Sequence, residues 1–241
     1  GQGIYIMEAN GRLQRLLTDF SAGPLAWSPD GRRLAFVAYV DGNLDIYVID
    51  AVVPERWERP AAPQRLTEDP ARDSWPSWSP DGRQIAFVSD RQENKPQPGI
   101  YVMDADGGNA RNLTPVWSAH QPSWSPDGQQ IAFASGRGGT MGIWVMDADG
   151  GNPRNLTDEW GGDEAPSWTS DGQHIIFQSY RDINYEVYVM EADGTDQRNL
   201  TRSPDQERWP SFFDVTRLGV SSVGMSPVTW GWIKESGLEQ E

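Results

Sequence analysis

Hydrophobic positions along the chain fall into short runs that are separated by polar turns. Residues 85–88 (Ile-Ala-Phe-Val) and 100–103 (Ile-Tyr-Val-Met) are two such runs, and both are rich in β-branched and aromatic residues. Their length and composition are typical of buried β-strands. Residues 79–82 (Ser-Pro-Asp-Gly) predict a turn, because proline fixes one backbone angle and glycine supplies a left-handed one. The pattern therefore indicates an all-β chain.

The same order of strands and turns recurs along the chain. A typical copy has an aromatic anchor, an Asp-Gly turn, two apolar strands, a second Asp-Gly turn and a short Leu-Thr strand, and in the Trp27 copy the long segment 52–63 replaces the second turn. The anchors are Trp27, Trp78, Trp124, Trp168 and, in degenerate form, Phe212. Four-stranded units with a period of roughly 40–45 residues are the signature of β-propeller blades. We therefore predict a propeller of antiparallel blades, each a meander of strands a, b, c and d.

One copy carries the full motif: Pro-Ser-Trp-Ser-Pro-Asp-Gly at 76–82, Ile-Ala-Phe at 85–87, Ile-Tyr-Val-Met-Asp-Ala-Asp-Gly at 100–107 and Asn-Leu-Thr at 112–114. This motif resembles the WD40-like, TolB-type (Pro-Asp) β-propeller repeat over about residues 3–213. The resemblance implies a propeller fold and a periplasmic or extracellular location in a bacterium. TolB-type chains also carry six blades and a separate N-terminal α/β domain, and neither is evident here.

The repeats begin and end in the middle of a blade. Residues 3–11 match strand c with its turn, residues 13–18 match strand d, and residues 209–212 match strand a. We therefore expect five blades, with one blade shared between residues 1–18 and 209–223. Such pairing of the N- and C-terminal segments closes the propeller and removes free sheet edges.

This count divides the chain into a propeller and a tail. Residues 1–223 form the propeller, in which residues 217–223 are a weak candidate for the last strand b. Residues 224–241 form a C-terminal tail that contains Trp230 and Trp232. We expect the tail to cover the last blade as a flap, or to dock on a neighbouring molecule by domain exchange.

Composition restricts the classes of partner. The chain has 241 residues and a net charge of −15, which argues against binding to nucleic acids or anionic membranes. It starts at Gly1 rather than at methionine, which favours a processed form. Without cysteines or zinc-ligand spacings, no metal or other cofactor is predicted. Residues 104–107 and 147–150 (Asp-Ala-Asp-Gly) resemble calcium loops faintly, but turn chemistry accounts for them.

Functional residues are expected where the repeats differ. The a–b turns are nearly constant, whereas the b–c and d–a loops, which share the opposite face, vary. The d–a loops contain aromatic, acidic and basic residues, a composition typical of interaction hot spots. The candidates for partner binding are Asp73, Trp75, Trp117, His120, Trp160, Asp163, Glu164, Glu207, Arg208 and Trp209. The b–c loops add Tyr39, Asp41, Asp90, Tyr180, Asp182 and Tyr185.

Three arginines repeat by position after strand b: Arg91, Arg137 and Arg181. A side chain repeated in this way is typical of a scaffold, and we predict an ion pair between blades.

The best interpretation is a non-enzymatic TolB-like platform that binds a protein partner, or further copies of itself, through the loop face and the tail. A lectin-like propeller that stacks sugars on the aromatic mouth is the first alternative. A glycoside hydrolase with paired mouth carboxylates, or a fragment of a larger peptidase of the prolyl oligopeptidase kind, is the second. His120 and His174 fall on opposite faces, and no Gly-x-Ser-x-Gly elbow is present.

Overall fold

The computed structural model describes residues 3–7, 14–20, 22–51, 62–91, 97–115, 118–137, 139–157, 161–202, 207–213 and 229–234, the last two ranges as backbone only. Every regular element within these residues is a β-strand. The chain divides into an N-terminal unit, residues 1–116, and a C-terminal unit, residues 117–241. Each unit is described by itself.

The N-terminal unit contains a two-stranded sheet and two four-stranded sheets. The first pairs β1 (Ile4–Ile6) with β2 (Arg15–Thr18). The second consists of β3 (Ala22–Trp27), β4 (Arg33–Val40), β5 (Asn43–Asp50) and β6 (Gln64–Arg65). The third consists of β7 (Asp73–Trp78), β8 (Gln84–Ser89), β9 (Gly99–Asp104) and β10 (Arg111–Asn112).

The C-terminal unit repeats this arrangement. One four-stranded sheet contains β11 (Ala119–Trp124), β12 (Gln130–Ser135), β13 (Gly142–Asp147) and β14 (Arg154–Asn155). Another contains β15 (Glu164–Trp168), β16 (His174–Ser179), β17 (Glu186–Glu191) and β18 (Arg198–Asn199). Finally, β19 (Glu207–Phe213) pairs with β20 (Thr229–Lys234). In all four larger sheets the strands lie in chain order, which confirms the predicted antiparallel meander.

An aromatic pair across strands b and c lies at the core of every four-stranded sheet. The paired residues are Phe36 with Tyr47, Phe87 with Tyr101, Phe133 with Trp144, and Phe177 with Tyr188. Each phenylalanine is fully buried, and the three Phe–Tyr pairs have ring centroids 5.7–5.8 Å apart. Full burial of one such side chain stabilises the fold by about 1.5–3 kcal/mol. The b and c strands therefore form the centre of each sheet.

Two of the tryptophan anchors at the end of strand a, Trp78 and Trp168, pack against the preceding sheet of their own unit. Trp78 is 7% exposed, and its Nε1–H donates to the carbonyl oxygen of Ala26 at 3.1 Å. Trp27 differs, because it is 46% exposed. The strands β1 and β2 pack against Phe36 and Tyr47 on the same sheet, and they leave the a-strand side of that sheet open.

The Ser-Pro-Asp-Gly segments form the predicted turns. In the third copy, Ser125 Oγ donates to Asp127 Oδ1 at 2.6 Å, and the amide of Gln129 donates to the same oxygen at 3.0 Å. Gly128 has a φ of 72°, and its N–H donates to the carbonyl oxygen of Ser125. The other three copies make the same bonds, which explains why the sequence of this turn is constant.

The Asn-Leu-Thr segments that end three of the repeats also have a structural role. The Thr114 hydroxyl accepts the amide N–H of Ile100 in strand c at 2.8 Å. The amide of Thr114 in turn donates to Asn112 Oδ1 at 2.8 Å. Equivalent bonds form at Thr157 and Thr201, so the motif ties the short strand d to strand c.

The last sheet differs from the prediction. Residues 217–223 were expected to supply strand b beside β19, but they lie outside the described residues. The strand that pairs with β19 is Thr229–Lys234, from the segment that was assigned to the tail. Its Thr-Trp-Gly-Trp-Ile sequence is richer in aromatic residues than 217–223, and strands favour such residues. Five blades and closure by the chain ends stay predictions.

The turn aspartates make stability depend on pH. The hydroxyl of the neighbouring serine or threonine, followed by a backbone N–H, lowers the pKa of Asp30, Asp81, Asp127 and Asp171. A carboxylate with a lowered folded pKa stabilises the fold above its unfolded pKa, near 3.9. This stabilisation is lost as the pH falls through the folded value. We therefore expect these four groups to lower the free energy of unfolding between about pH 5 and pH 3.

The Asp127→Asn variant isolates this effect in urea unfolding. Burial raises the pKa of Asp45 and Asp73, and these groups shift stability in the opposite direction, so the total pH slope is a mixture. The variant should be less stable than the parent at about pH 5 and should lose less stability on acidification. Identical pH slopes for the two proteins would contradict this assignment.

Candidate functional site

Two of the candidate carboxylates are buried at the start of strand a. Asp73 is 0% exposed, and the Nη2 of Arg91 donates to its Oδ2 at 2.6 Å. Burial raises the pKa of Asp73, and hydrogen bonds from Ser89 and Arg91 oppose this shift. Asp163 is also 0% exposed, and the Nη2 of Arg181 donates to its Oδ2 at 2.7 Å. Both carboxylates thus lie inside their sheets as partners of the repeated arginines.

The ion pairs correct the prediction for the repeated arginines. Each pair joins strand a to the b–c loop of the same sheet, so the expected inter-blade pairing is wrong for Arg91 and Arg181. The guanidinium of Arg181 also lies over the rings of Phe177 and Tyr188, at 5.6 and 5.1 Å. Arg91 lies in the same way over the aromatic pair of its own sheet. The arginine covers the loop end of the core while the buried aspartate balances its charge.

Of the other two four-stranded sheets, one covers the aromatic pair with a phenylalanine and one again with an arginine. In the sheet of β3 to β6 the arginine position is Val40, and Phe20 stacks on Tyr47 with ring centroids 5.4 Å apart. In the third copy Arg137 lies 5.4 Å from the Trp144 ring. The aromatic pair is covered either by a side chain from the d–a loop, such as Phe20, or by the arginine of the b–c loop. Gly161 shows why the two exclude each other, because a Cβ there would lie 2.7 Å from Arg181. A bulky residue in the d–a loop and this arginine therefore compete for one space.

His120 and Glu164 lie at equivalent positions on β11 and β15 and are half-buried. The Ser118 hydroxyl lies 3.1 Å from His120 Nε2, and burial lowers the pKa of His120, which favours the neutral ring. Glu164 Oε2 accepts a hydrogen bond from the buried Gln178 at 3.0 Å. Polar groups at this position therefore have partners from their own sheets.

A strained bulge follows these residues in strand a. Trp75, Gln121 and Ala165 have φ values of 54°, 54° and 52°, and each precedes a proline. The register of strands a and b shifts at each site. In the C-terminal unit the Ala165 amide donates to Gln121 Oε1 at 2.9 Å. This bond joins the inner strands of neighbouring sheets.

The loop between β16 and β17 displays a large apolar side chain. Ile183 is 85% exposed and has a φ of 76°, which is a rare conformation for a β-branched residue. Asp182 accepts hydrogen bonds from the Tyr188 hydroxyl at 2.5 Å and from Asn199 at 2.8 Å. Burial, followed by the bond to Asp182, raises the pKa of Tyr188 to about 12. These bonds anchor the loop and hold Ile183 outward.

Tyr180 extends this apolar surface. It is 48% exposed and packs edge-to-face on Tyr185 with ring centroids 5.1 Å apart. Its amide donates to the carbonyl oxygen of Gly161 at 2.7 Å, which fixes the loop against the d–a loop. The sequence indicated the two tyrosines but not Ile183. An isolated isoleucine in a loop gives no signal for its backbone conformation.

Several predicted site residues cannot be placed with the others. Trp117 and Trp160 lie outside the described residues. The strands β19 and β20 are described as backbone, so they fix only the positions of Glu207, Arg208, Trp209, Trp230 and Trp232. Of the remaining candidates, Asp73 and Trp75 share one strand of the N-terminal unit. His120, Asp163 and Glu164 belong to neighbouring sheets of the C-terminal unit.

The described part of the chain has no group of three or more histidine and acidic side chains arranged to hold a metal ion. In residues 104–107, Asp106 Oδ1 accepts the Gly108 amide and Asp104 Oδ2 accepts Asn109 Nδ2, so the segment forms a turn. None of the described elements is a helix with the length and hydropathy needed to cross a bilayer.

Comparison with known proteins agrees with this architecture. The family model of the TolB beta propeller domain matches residues 2–119 and 115–215. The chain belongs to the TolB β-propeller domain family. The solved structure of TolB from Acinetobacter baumannii superimposes with a TM-score of 0.72 at 26% identity, over 87% of this chain and 51% of that one. The resemblance read from the repeats and the propeller fold are therefore confirmed.

Two curated relatives of this TolB-type propeller have different names. The uncharacterized peptidase YuxL of Bacillus subtilis is 37% identical over 101 residues, which are 38% of this chain and 15% of that protein. The Tol-Pal system protein TolB of Bordetella pertussis is 31% identical over 125 residues, which are 35% of this chain and 27% of that protein. This chain thus matches about a quarter or less of each relative's length.

The buried ion pair predicts an asymmetric response to mutation. In Arg181→Met the Asp163 carboxylate stays buried without its cation, so we expect a loss of about 3–5 kcal/mol in the free energy of unfolding. The double variant Asp163→Ala/Arg181→Met removes both charges and should be more stable than the single variant. Urea unfolding measures both values.

Arg137→Met is the matched control. The position aligned with Asp163 in that sheet is Ala119, so no buried carboxylate at that position loses its partner. Its loss of stability should be smaller than that of Arg181→Met. An equal loss in the two single variants would contradict the assignment of Asp163 as a buried charge that needs Arg181.

Proposed function

We propose that this TolB-type propeller is a non-enzymatic binding module that recognises a protein partner through its b–c loops. The observation that supports this most directly is Ile183, an aliphatic side chain that is 85% exposed on an anchored loop. Tyr180 lies on the same loop and is half-exposed. Apolar and aromatic side chains displayed together on a surface mark sites of protein interaction.

The rigidity of the loop favours binding. The bonds from Tyr188 and Asn199 to Asp182, and from Tyr180 to Gly161, fix the backbone on both sides of Ile183. A loop that is already ordered loses little conformational entropy when a partner covers it. The left-handed conformation of Ile183 costs about 1–3 kcal/mol and is maintained by these contacts. Such strain is more typical of functional loops than of passive connections.

The environment of the carboxylates supports a binding role over hydrolysis. A glycosidase needs two carboxyl groups that reach the substrate. Asp73 and Asp163 are buried and ion-paired, and Glu164 accepts a hydrogen bond from Gln178. The relative named as a Tol-Pal system protein supports an interaction role in a periplasmic or extracellular setting. The relative named as a peptidase supports the second alternative, in which the propeller is part of a larger peptidase whose catalytic residues lie outside this sequence. That alternative is one outcome of the test.

Site-specific photo-crosslinking tests the proposal. A photoreactive amino acid at position 183 should yield a discrete crosslinked protein in the cells that produce this chain. The matched control places the same probe at the exposed Gln173, on the opposite face. Tyr180→Ala should weaken the crosslink at 183 by roughly tenfold, since hot-spot truncation costs about 1–2 kcal/mol. Equal crosslinking at 173 and 183, or none at either, would overturn the proposal.

A second candidate, self-association, is favoured by a different surface. Leu25 and Trp27 on β3 are 52% and 46% exposed, whereas Pro76 and Trp78 at the equivalent positions of β7 are buried. The equivalent face of β7 is covered by its own unit, whereas this face of β3 is exposed. We infer that a second copy of the chain covers it.

Light scattering over a wide concentration range tests this candidate. The apparent mass should rise with concentration, and Leu25→Ser/Trp27→Ser should hold it at the monomer value of about 27 kDa. Tyr39→Ser is the matched control, since Tyr39 is 66% exposed on a b–c loop and should leave association unchanged. A parent protein that stays monomeric at every concentration excludes this candidate.

A further inference from the structure

The chain contains eight Asp-Gly sequences, which are the dipeptides most prone to spontaneous isomerisation. The backbone nitrogen of the glycine attacks the aspartate Cγ, and the ring closes as a succinimide with loss of one water molecule. Addition of one water molecule to either carbonyl of the ring then gives aspartate or isoaspartate. The reaction needs a free glycine N–H, an unrestrained carboxyl group and room for the ring. It needs no enzyme or oxidant.

Seven of the eight sequences are held by the turns that define the repeat. Each glycine N–H donates to the carbonyl oxygen three residues before it, at 2.9 Å in every case. Each aspartate carboxylate also accepts hydrogen bonds, from a backbone N–H and in five cases from a serine or threonine hydroxyl. The aspartates are Asp30, Asp81, Asp106, Asp127, Asp149, Asp171 and Asp193. Both reacting groups of these seven pairs are therefore occupied.

The eighth sequence, Asp41-Gly42, lies at the tip of the hairpin between β4 and β5. Both residues are exposed, and a Cβ added to Gly42 would have no atom within 4 Å. Among the described residues, no hydrogen bond is made to the Asp41 carboxylate or by the Gly42 N–H. Both residues have positive φ values, 52° and 88°, as in a two-residue hairpin turn. The same dipeptide is thus free here and restrained elsewhere.

We propose that Asp41-Gly42 is a site of spontaneous aspartate isomerisation in the folded protein. The Gly42 nitrogen closes the ring on Asp41, water leaves, and hydrolysis inserts the aspartate Cβ into the backbone. The extra backbone atom changes the length of the two-residue turn that pairs Val40 with Asn43. Tyr39, which is 66% exposed beside this pair, changes its position as a result. Isoaspartate therefore accumulates slowly in this hairpin, on the loop face of the N-terminal unit.

Ageing of the purified chain tests the proposal without any ligand. The protein is incubated at neutral pH and 37 °C, and isoaspartate at each Asp-Gly site is followed by peptide mapping with electron-transfer fragmentation. Isoaspartate at position 41 should appear at least about tenfold faster than at any of the seven turn sites, a difference of about 1.4 kcal/mol in activation free energy. In guanidinium chloride the eight rates should converge, because the turns are lost.

Two variants connect the rates to the geometry. Asp41→Glu should abolish the fast reaction at this position. The glutamate side chain is one methylene longer, so it cannot form the five-membered succinimide ring. Ser125→Ala removes one restraint on Asp127 and should raise the rate at that site while leaving position 41 unchanged. Isoaspartate that accumulates at position 41 no faster than at the turn sites of the folded chain would overturn the proposal. So would a difference that persists in guanidinium chloride.

Discussion

The aromatic pair of strands b and c is the interaction on which each four-stranded sheet depends. Its phenylalanine is fully buried, so the rings need neighbours on every side, including the loop end where strand pairing stops. A guanidinium group lies over this pair in three sheets, and Phe20 takes its place in the sheet of β3 to β6. The choice has electrostatic consequences where the arginine is largely covered, because Arg91 and Arg181 are only 18% and 13% exposed and each is paired with a fully buried carboxylate. Asp73 and Asp163 are present for this reason and belong to the scaffold.

This constraint separates the two ends of every sheet. At one end the Ser-Pro-Asp-Gly turn is held by hydrogen bonds of its serine hydroxyl, its aspartate carboxylate and its glycine N–H, and it tolerates little change. At the other end only the cover of the aromatic pair is fixed, and the b–c loop beyond it is free to vary. Ile183 illustrates the result, because Arg181 closes the core while the residue two positions later is fully displayed. The scaffold ends and the proposed recognition surface begins within a few residues.

Much of this architecture was predictable because its signals are local and repeated. The Ser-Pro-Asp-Gly turns were predictable because their hydrogen bonds join residues five positions apart or fewer. The strand order and the family followed from the repetition of the same short motifs. The Arg91 and Arg181 pairs were predicted as scaffold but assigned to the wrong partner, because sequence gives no distance between strand a and the b–c loop. The pairing of β20 was missed for a similar reason, since residues 214–228 between the strands follow no repeat. The φ of Ile183 has no sequence signal.

The eight Asp-Gly sequences show why chemistry on such a propeller depends on context. By sequence they are equivalent, and a survey of dipeptides would rank them together. Seven of them lie in turns whose hydrogen bonds are needed for the fold itself, so selection for folding also protects them from isomerisation. Asp41-Gly42 sits in a hairpin whose geometry needs only positive φ values, which Asp and Gly supply without further bonds. The tendency of an Asp-Gly sequence to isomerise therefore depends on whether the fold uses its hydrogen-bonding groups. Those of Asp41-Gly42 on the loop face are not used in this way.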